Sequence, residues 1–580
     1  MIASRRWKWW ALALALGCAA QLAPVLWRVR GGAGPYTADD DEQFYVALIR
    51  HAASGPVPTQ NFADPAWSNA RSPYGWIMPA AVALPVRIGL PSGWTIDGLR
   101  VAGSSASAYL LIRIGALTAT PEVGAAMAAI VLLDPGAVDG KPLLALFGRG
   151  APAWDVAGQL PLSRLYNPGL VLPLFLWVIF GLLAMAKRPR RPGSRYVSVA
   201  AFAALGACAF FYWWTAAVGA AVAYALAFRR RRAQTRWALL GVATMLGLVV
   251  INLAVGRAGA TSLELGLRLG FWRTHSPYFL THMAFWLGAA AGAWLLFSRW
   301  RVSAAAAALG ALTLGTWAVV LGHTALGGWD VESNHFRPIQ GVMTVMTGLT
   351  LLYHAWGRWR GGRSVPARVG GIALTLVVAF AGPIWAARGL AAAELNGAPG
   401  APEAARAALA RGGVPDTAAV LVPRALRTSV GAVHTGITYA YPYLFGWAVP
   451  DSVIWDRQVC AAVLTGESPA RVFGDAMHVY PYFWPVWWLG RPPDVPIAGL
   501  DSYMPIIPRL AVRLRSAVAQ AAADPDALRS ACRAQPEYVL ATGRASVRRA
   551  VLAGDVLGVK VRWMAGDSSA VWLRLLGHAQ

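Results

Sequence analysis

The sequence predicts an α-helical polytopic membrane protein of about eleven transmembrane helices, followed by an α/β domain outside the membrane. Hydrophobic residues make up 57% of the 580 residues and charged residues only 14%, a composition typical of a chain whose solvent is largely lipid. The formal charge of +25 comes from Arg residues that sit in short clusters between apolar segments. Cytoplasmic loops of membrane proteins collect such clusters, so the basic charge indicates topology rather than nucleic-acid binding.

The N-terminus predicts a transmembrane helix that is retained in the mature protein. Arg5, Arg6 and Lys8 precede an apolar stretch that runs to Trp27, about 20 residues and so long enough to cross a bilayer. A signal peptide would end in a small-residue cleavage site, and no obvious site of this kind precedes Arg28. We therefore expect a first span that enters the membrane from the cytoplasm.

Four clusters of basic residues predict the cytoplasmic loops. They lie at 187–195, 229–236, 298–301 and 357–368. The apolar segments between and beside them are 166–186, 196–228, 237–256, 278–297, 303–323, 338–356 and 369–390. Segment 196–228 has a cytoplasmic cluster at each end, so we expect it to form a hairpin of two short helices.

Region 74–135 contains three apolar patches, of which only two can cross the membrane. The patches are 76–90, 100–118 and 122–135. The loop that ends at residue 166 must lie outside if residue 187 lies inside, so only two crossings fit after the first external loop. Arg87 and several prolines interrupt the first patch, which we therefore assign to an interfacial or re-entrant helix.

The chain changes character after residue 390. Residues 391–580 lack long apolar runs and alternate Ala-rich helical stretches with short strand-like pieces. The strand-like pieces are 419–422, 538–540 and 559–561. We expect residues 1–390 to form the transmembrane domain and residues 391–580 to form a compact extracytoplasmic α/β domain.

Two of the four cysteines, Cys460 and Cys532, fall in this external region. An even pair in an oxidising compartment favours a disulfide. Two unpaired thiols stay an open alternative, because the sequence does not show the geometry that a disulfide needs. Cys18 and Cys208 fall within predicted spans.

An acidic cluster, Asp39-Asp40-Asp41-Glu42, follows the first span within the long external loop 30–99. Thr37 and Asp40 have the spacing of a helix capping box, and carboxylates in a first turn are stabilised by the helix dipole, so a purely structural role fits. At the outer membrane surface, however, such a carboxylate is also placed to act as a general base on an acceptor hydroxyl. In a helix, Asp41 shares a face with Tyr45 and Leu48, and Asp40 shares the neighbouring face with Phe44 and His51.

Further polar and aromatic residues lie in predicted external segments, where they can contact a sugar or a phosphate. Arg can hold a phosphate bidentately, although Arg at helix ends also reaches lipid headgroups without any other role. The first loop also offers Asn61 and Asp64. The predicted substrate-binding residues are Tyr45, Arg71, Tyr74, Arg164, Asn167, Glu332, Asn334, His335 and Arg337.

Two aromatic runs stand out. Residues 211–214 (Phe-Tyr-Trp-Trp) lie at the turn of the predicted hairpin, where we expect them to belong to the aromatic belt at the membrane interface. Residues 480–488 lie in the external domain and suit either a carbohydrate-stacking surface or an edge that rests on the membrane.

The acidic region resembles that of a known superfamily. Asp41-Glu42-Gln43-Phe44-Tyr45 forms a D-E-x-x-Y pattern, followed by a Gly/Pro/Asn-rich loop, an interfacial helix and a span that opens with Gly98-Leu99-Arg100. This arrangement is similar to the GT-C superfamily of polyprenyl-phosphate-sugar-dependent integral membrane glycosyltransferases. The resemblance covers the topology of roughly the first 390 residues and is loose at the level of sequence.

The resemblance implies an inverting hexosyl- or pentosyltransferase. Its donor is a sugar on a polyprenyl-phosphate carrier, and its acceptor is a glycan, a lipid or a protein on the extracytoplasmic face. The first-loop Asp of the superfamily maps onto Asp41 as the catalytic base; Asp40 is the competing position and Glu42 lies beside both. Some relatives use a divalent metal near the acidic loop; the tandem carboxylates permit such an ion and leave metal dependence open. Abundant Ala and Arg fit a GC-rich bacterial genome and hence a bacterial inner membrane and a role in the cell envelope.

A transporter or flippase of a lipid-linked or anionic substrate is the main alternative. It would predict internal repeats and functional charges at mid-membrane depth, whereas the polar clusters lie at the external ends of spans. A non-catalytic assembly protein with a sensing external domain also stays open. The sequence contains no Gly-rich phosphate loop, zincin His pair, Cys pair at metal spacing or nucleophile elbow, which argues against ATP as the energy source.

Overall fold

The protein is mainly helical and carries one small sheet near its C-terminus. The computed structural model describes residues 7–30, 40–55, 61–62, 64, 66, 75–133, 169–256, 283–298, 303–325, 336–359, 368–378, 401–439, 449–467, 506–533, 536–542, 544–557, 559–566 and 570–576.

The described helices before residue 390 form a bundle of long, mostly apolar helices. In chain order they are α1 (Trp7–Arg30), α2 (Asp40–Ser54), α3 (Ile77–Arg87), α4 (Ser92–Thr118), α5 (Pro121–Leu133), α6 (Val171–Lys187), α7 (Pro192–Cys208), α8 (Phe211–Ala227), α9 (Arg232–Gly256), α10 (Met283–Ser298), α11 (Ala304–Ala325), α12 (Arg337–Trp359) and α13 (Arg368–Val378). Helix α6 is apolar on every face and buried along its length, as a central helix should be.

Small residues allow some of these helices to pack closely. Gly219 of α8 lies directly against the backbone of Gly315 of α11, and a Cβ at either position would collide with the other helix. Gly115 of α4 and Gly124 of α5 make a second close approach of the same kind. Contacts between small residues are typical of helix packing in membranes. Lipid tails are as apolar as the helix surfaces, so close packing rather than the hydrophobic effect holds the helices together.

One end of the bundle gathers the basic loops. Lys187 Nζ at the end of α6 donates to the carbonyl oxygen of Leu117 near the end of α4, at 3.0 Å. Arg231 Nη1, just before α9, donates to the carbonyl oxygen of Ala186 at 3.1 Å. His354 Nε2, near the end of α12, lies 2.9 Å from the carbonyl oxygen of Thr118. The predicted cytoplasmic clusters near 187, 229 and 357 therefore share one end.

The opposite end gathers the start of α3 and the ends of α7 and α9. Asn252 Oδ1 accepts a hydrogen bond from the backbone N–H of Trp76 at 2.8 Å, and its Nδ2 donates to the carbonyl oxygen of Ala207 at 2.6 Å. The ring of Tyr212 at the start of α8 meets the ring of Phe336, just before α12, edge to face with centroids 5.1 Å apart. The ends of α4, α6, α7, α9 and α12 thus lie at the ends of the bundle that the basic clusters predict.

The predicted hairpin in segment 196–228 is confirmed as two helices, α7 and α8, that break at Ala209. This residue adopts a left-handed backbone with φ of 53°, unusual for a residue other than Gly. The two helices diverge from the break, because α7 packs against α6 and α9 while α8 packs mainly against α11.

The prediction that residues 211–214 form an interfacial belt is wrong for the two central residues. Trp213 is fully buried and meets Phe175 of α6 edge to face, with ring centroids 5.4 Å apart. Tyr212 is buried against Phe336. Bulky rings at the break fill the space between helices instead of facing lipid, so this aromatic run belongs to the core of the bundle.

Helix α3 is too short to cross a membrane, as predicted for patch 76–90. Its 11 residues span about 16 Å, against a hydrocarbon core of about 30 Å. Leu84, Ile88 and Trp94 around its C-terminal end are exposed, and its other face packs on α2. Short length and one apolar exposed side are typical of a helix at a membrane interface.

Two described helices, Trp94–Thr118 and Arg232–Ala254, are both long and apolar enough to cross a bilayer. The further apolar helices have 10–17 described residues and include Pro121–Leu133, Val171–Lys187 and Phe211–Ala227. The expected number of about eleven spans therefore stays a prediction.

The C-terminal part of the chain contains the predicted strands. The sheet has the order β1 (Val420–Leu421), β2 (Tyr538–Thr542), β4 (Ala570–Leu576), β3 (Lys560–Gly566), with β1 parallel to β2 and the other pairs antiparallel. The strand-like pieces at 419–422, 538–540 and 559–561 overlap β1, β2 and β3, respectively, and β4 was not predicted. The described helices around it are α14 (Ala401–Gly412), α15 (Arg424–Val433), α16 (Asp451–Thr465), α17 (Ile506–Ala523), α18 (Pro525–Ala531) and α19 (Arg544–Leu557).

The disulfide favoured for the external cysteines is present. Cys460 of α16 is bonded to Cys532, which follows α18, and both are buried. The bond joins residues 72 positions apart, for which the chain-entropy model gives a stabilisation of about 4 kcal/mol. Cys18 and Cys208 are free cysteines.

The basic loops lie together at one end of the bundle, and this predicts the result of a topology experiment. Reporter fusions at Gly150 and Gly400 should show external activity, and a fusion at Arg191 should show cytoplasmic activity, because α6 and α7 meet at the basic end. The measurement is the activity of a reporter enzyme that works on one side only. A cytoplasmic signal at Gly150 would contradict the assignment of α3 as a helix that does not cross.

Asn252 should be important for stability because it satisfies backbone groups of two other helices. Asn252→Leu removes the acceptor for Trp76 N–H and the donor to Ala207, and it should cost about 1–3 kcal/mol of unfolding free energy. Thr244→Val, at a half-buried position where the hydroxyl bonds only the Leu240 carbonyl oxygen of its own helix, is the control and should change stability by less than about 0.5 kcal/mol. Denaturation of the purified protein in detergent measures both; equal stability of the two variants would disprove the role of Asn252.

Candidate functional site

The acidic cluster begins helix α2, as the sequence predicts. Asp40 is the first helical residue, so Asp40, Asp41 and Glu42 occupy the first turn, where backbone N–H groups favour carboxylates. Their side chains lie outside the described part of the structure. What the structure shows is how the helix that carries them is held.

One face of α2 packs against the helical bundle. Val46, Ile49 and Ala52 are buried in an apolar cluster with Val82 of α3 and Ile96 of α4. Tyr45, which is half-buried, packs against the same cluster. Because Tyr45 lies one helical turn after Asp41, the face predicted for Asp41 and Tyr45 is the one that meets the bundle.

The opposite face of α2 packs against the first loop and the C-terminal part of the chain. The ring of His51 stacks on Phe62 with centroids 4.2 Å apart and planes 2° from parallel. The carbonyl oxygen of Phe62 accepts a hydrogen bond from Thr438 N–H at 2.8 Å, and Arg50 Nη1 donates to the carbonyl oxygen of Val433 at 2.8 Å. Helix α2 is therefore enclosed between the bundle and the sheet-containing region.

A buried ion pair joins the first loop to α16. Arg457 Nε donates to Asp64 Oδ2 at 2.5 Å, and the two side chains are 5% and 0% exposed. Asp64 Oδ1 accepts from Ala66 N–H at 2.8 Å, and Arg457 Nη1 donates to the carbonyl oxygen of Ala531 at 3.1 Å. Asp64 thus anchors the loop and is not available for the sugar or phosphate contact that its position in the loop suggested.

The surroundings of Arg457 keep it charged. Burial alone would lower the pKa of its guanidinium, but Tyr439 and the carboxylates of Asp64 and Asp456 raise the pKa above its ordinary value. The guanidinium also lies 5.8 Å from the centroid of the Tyr439 ring. The pair is an ionic contact between a charged Arg and an acid that is removed from water.

His51 is held as a neutral imidazole. Burial lowers its pKa to about 3, and the neighbouring His434 and Arg50 act in the same direction. Burial also lowers the pKa of His434, whose Nε2 lies 2.7 Å from the carbonyl oxygen of Ala418. His51 therefore cannot supply a positive charge to a phosphate near neutral pH. The two imidazoles fill and shape the contact between α2 and the C-terminal part of the chain.

The structure also locates the start of α12. This helix begins at Arg337, and the preceding Phe336 is buried against Tyr212 at the end of the bundle that also holds the start of α3. Since α2 packs on α3, the starts of α12 and α3 and the whole of α2 lie at one end. The other predicted substrate-binding residues, Arg71, Tyr74, Arg164, Asn167, Glu332, Asn334 and His335, lie outside the described residues.

Arg100 is a further charged residue at this end, and the predicted set does not include it. Its side chain is 4% exposed, and Nη1 lies 3.2 Å from Asp97 Oδ1. Ile96, one turn earlier, is in the cluster that contacts α2. In the sequence, Asp97 and Arg100 stand three residues apart at the start of a predicted span. This spacing predicts a local ion pair but does not show that Arg100 is buried.

Among the described residues, no group of three or more His, Cys, Asp or Glu side chains could hold a metal ion. The three carboxylates at the start of α2 are not among the described side chains, so a divalent ion there stays a prediction from the family resemblance.

Comparison with known proteins finds similarity only at the level of structure. No protein-family model and no curated protein matches the sequence. The chain is similar to the apo oligosaccharyltransferase of Archaeoglobus fulgidus, at 11% identity and a TM-score of 0.45, over 82% of this chain and 68% of that chain. It is also similar to ArnT from Cupriavidus metallidurans bound to undecaprenyl phosphate, at 13% identity and a TM-score of 0.43, over 98% of both chains.

Because both TM-scores lie below 0.5, the likeness carries no argument about the reaction of this chain.

His51 should make stability depend on pH. Its pKa is about 3 when folded and near 6.5 when unfolded, so the unfolded chain alone binds a proton as the pH falls below 6.5. Stability is then lost at about 1.4 kcal/mol per pH unit down to the folded pKa. His51→Phe keeps a ring against Phe62 and should reduce the loss between pH 7 and pH 5 by about 2 kcal/mol.

Chemical denaturation in detergent at the two pH values measures this difference. His434 should leave a residual pH dependence in the variant, because its pKa is also lowered in the folded protein. The same loss of stability in wild type and His51→Phe would rule out His51 as the source.

Proposed function

We propose that the protein is a membrane glycosyltransferase that moves a sugar from a polyprenyl-phosphate carrier to an acceptor on the extracytoplasmic face, with inversion. The observation that supports it best is the position of the acid-bearing start of α2. Helix α2 lies at the end of the bundle opposite the basic loops, enclosed on two faces, with the starts of α4 and α12 at the same end. Carboxylates held there meet the requirement for a base at the external membrane surface.

In this reaction the acidic residue acts as the base, and the Arg and His residues stabilise the leaving phosphate. Asp41 removes the proton from the acceptor hydroxyl as the acceptor oxygen bonds to the anomeric carbon of the sugar. The bond from that carbon to the phosphate oxygen breaks, and the polyprenyl phosphate leaves with its electron pair. Arg337 and His335, with Arg71 or Arg164, stabilise the phosphate charge as it develops.

The proposed cellular location rests on the same orientation of the bundle, with the basic loops in the cytoplasm. Residues 1–390 form the transmembrane domain of a bacterial inner-membrane protein, and residues 391–580 form the extracytoplasmic domain. The donor is a lipid-linked hexose or pentose, and the acceptor is a glycan, a lipid or a protein. A carrier that is embedded in the membrane and an external base require an active site at the external membrane surface, where α2 lies.

The test compares two neighbouring carboxylates. Asp41→Asn keeps the volume and removes the proton acceptor, so transfer should fall about 10²-fold or more while donor binding is retained. Asp40→Asn should have a smaller effect, because Asp40 lies about 100° around the helix from Asp41. The measurement is transfer of label from polyprenyl-phosphate-linked radioactive hexoses and pentoses to the acceptors in membranes that contain the protein.

Asp526→Asn serves as the control, since Asp526 is an exposed carboxylate of α18 and should leave transfer unchanged. Inactive Asp40→Asn with active Asp41→Asn would move the base by one residue. Normal transfer by both variants would disprove the assignment of the base to this helix.

A further inference from the structure

A chain of contacts runs from α2 through the first loop to α16 in the C-terminal part of the protein. The ring of Phe62 stacks on His51, and its centroid lies 6.4 Å from that of Phe44, which is three residues after Asp41. Phe62 is two residues from Asp64 in the chain. The position of Asp64 therefore determines where the Phe62 ring supports α2.

Asp64 is fully buried, and a cation and a hydrogen bond compensate for its loss of water. A carboxylate with 0% exposure is strongly destabilising unless a cation and hydrogen bonds compensate for lost water. Arg457 supplies the cation, and Ala66 N–H supplies a hydrogen bond. A displaced Asp64 would lose the cation that compensates for its burial, so the pair holds the loop in register.

Arg457 is itself held at two of its nitrogens. Nε donates to Asp64, and Nη1 donates to the carbonyl oxygen of Ala531. These bonds fix the guanidinium plane, which Lys with its single nitrogen cannot reproduce. Arg457 precedes Cys460 by less than one helical turn, and Ala531 precedes Cys532 directly. The disulfide therefore closes the same junction of α16 and α18 that the Arg457 side chain bridges.

The loop has a second attachment, through the backbone. Thr438 N–H donates to the carbonyl oxygen of Phe62, and Tyr439 N–H donates to the carbonyl oxygen of Val420 in β1. Segment 437–439 thus connects the first loop to the sheet, while Arg457 connects it to α16. With two attachments on different elements, the loop and the helix it supports cannot rotate independently of the C-terminal part of the chain.

We propose that Arg457 is a positioning residue for the sugar transfer, acting through Asp64 and Phe62 to set the position of the acid-bearing start of α2. This role rests on the proposed function, because it needs a base on α2. A small misplacement of a catalytic group can cost about 10²-fold in rate. Loss of the Arg457 contacts should therefore lower kcat and leave the donor KM nearly unchanged.

The test uses Arg457→Lys in the full-length protein, which keeps the positive charge beside Asp64. We expect kcat to fall about 10-fold or more, the donor KM to change less than about 3-fold, and amide hydrogen exchange of residues 44–51 to become faster. Arg529→Lys is the matched control: Arg529 pairs with Asp526 in the same region, but both side chains are exposed, and transfer and exchange should equal the wild type.

Asp64→Asn provides an independent variant if Arg457→Lys does not fold. It keeps the shape and the bond to Ala66 N–H, and it should lower kcat in the same way. The double variant should be no slower than the slower single variant, because both substitutions break one contact.

Two results would overturn the positioning role. The first is a wild-type kcat for Arg457→Lys with faster exchange in α2, which would show that the ion pair contributes to stability alone. The second is a reduced kcat with unchanged exchange, which would show that Arg457 does not act through α2. Absence of transfer by the wild type would instead disprove the proposed function, and the positioning role with it.

Discussion

The candidate site depends on the enclosure of α2 between two parts of the chain that are far apart in sequence. Val46, Ile49 and Ala52 are buried against α3 and α4, while His51 is buried against Phe62. A 15-residue helix is marginal in water, so its position must come from these two contacts. The backbone of the first turn, which carries Asp40, Asp41 and Glu42, is therefore held at a defined place at the end of the bundle.

Buried Arg residues hold the C-terminal half of this enclosure together. Besides Arg457, Arg427 of α15 is fully buried; its Nη2 lies 3.1 Å from Glu467 Oε2 and its Nε donates to the carbonyl oxygen of Val422. Helix α15 also packs on α2. Arg suits such sites because it stays charged and presents several donors in one plane, and removal of one partner would leave a buried charge. The stability of this region and the placement of α2 thus share the same interactions.

The corrected predictions show where local sequence is ambiguous. Trp213 lies in an aromatic run at a helix end, a pattern that occurs both at membrane interfaces and in cores; burial against Phe175 is decided by which helix is adjacent. Asp64 lies in a polar loop, a pattern that equally suits ligand contact; its partner Arg457 is 393 residues away. In both cases the deciding residue lies on another element, so no local pattern contains it.

The sequence by itself determined the mostly helical fold, the short α3, the break within 196–228, three of the four strands and the favoured cysteine pair. The helices and strands follow from hydrophobic segment length, the positions of basic clusters and strand-like composition, all of which are local, and the cysteine pair follows from the expected oxidising compartment. Only the tertiary structure decided that α2 is enclosed, that Asp64 meets Arg457, and that His51 is neutral. Those properties arise from burial and charge pairing between distant segments, and desolvation depends on what surrounds a side chain rather than on its neighbours in sequence.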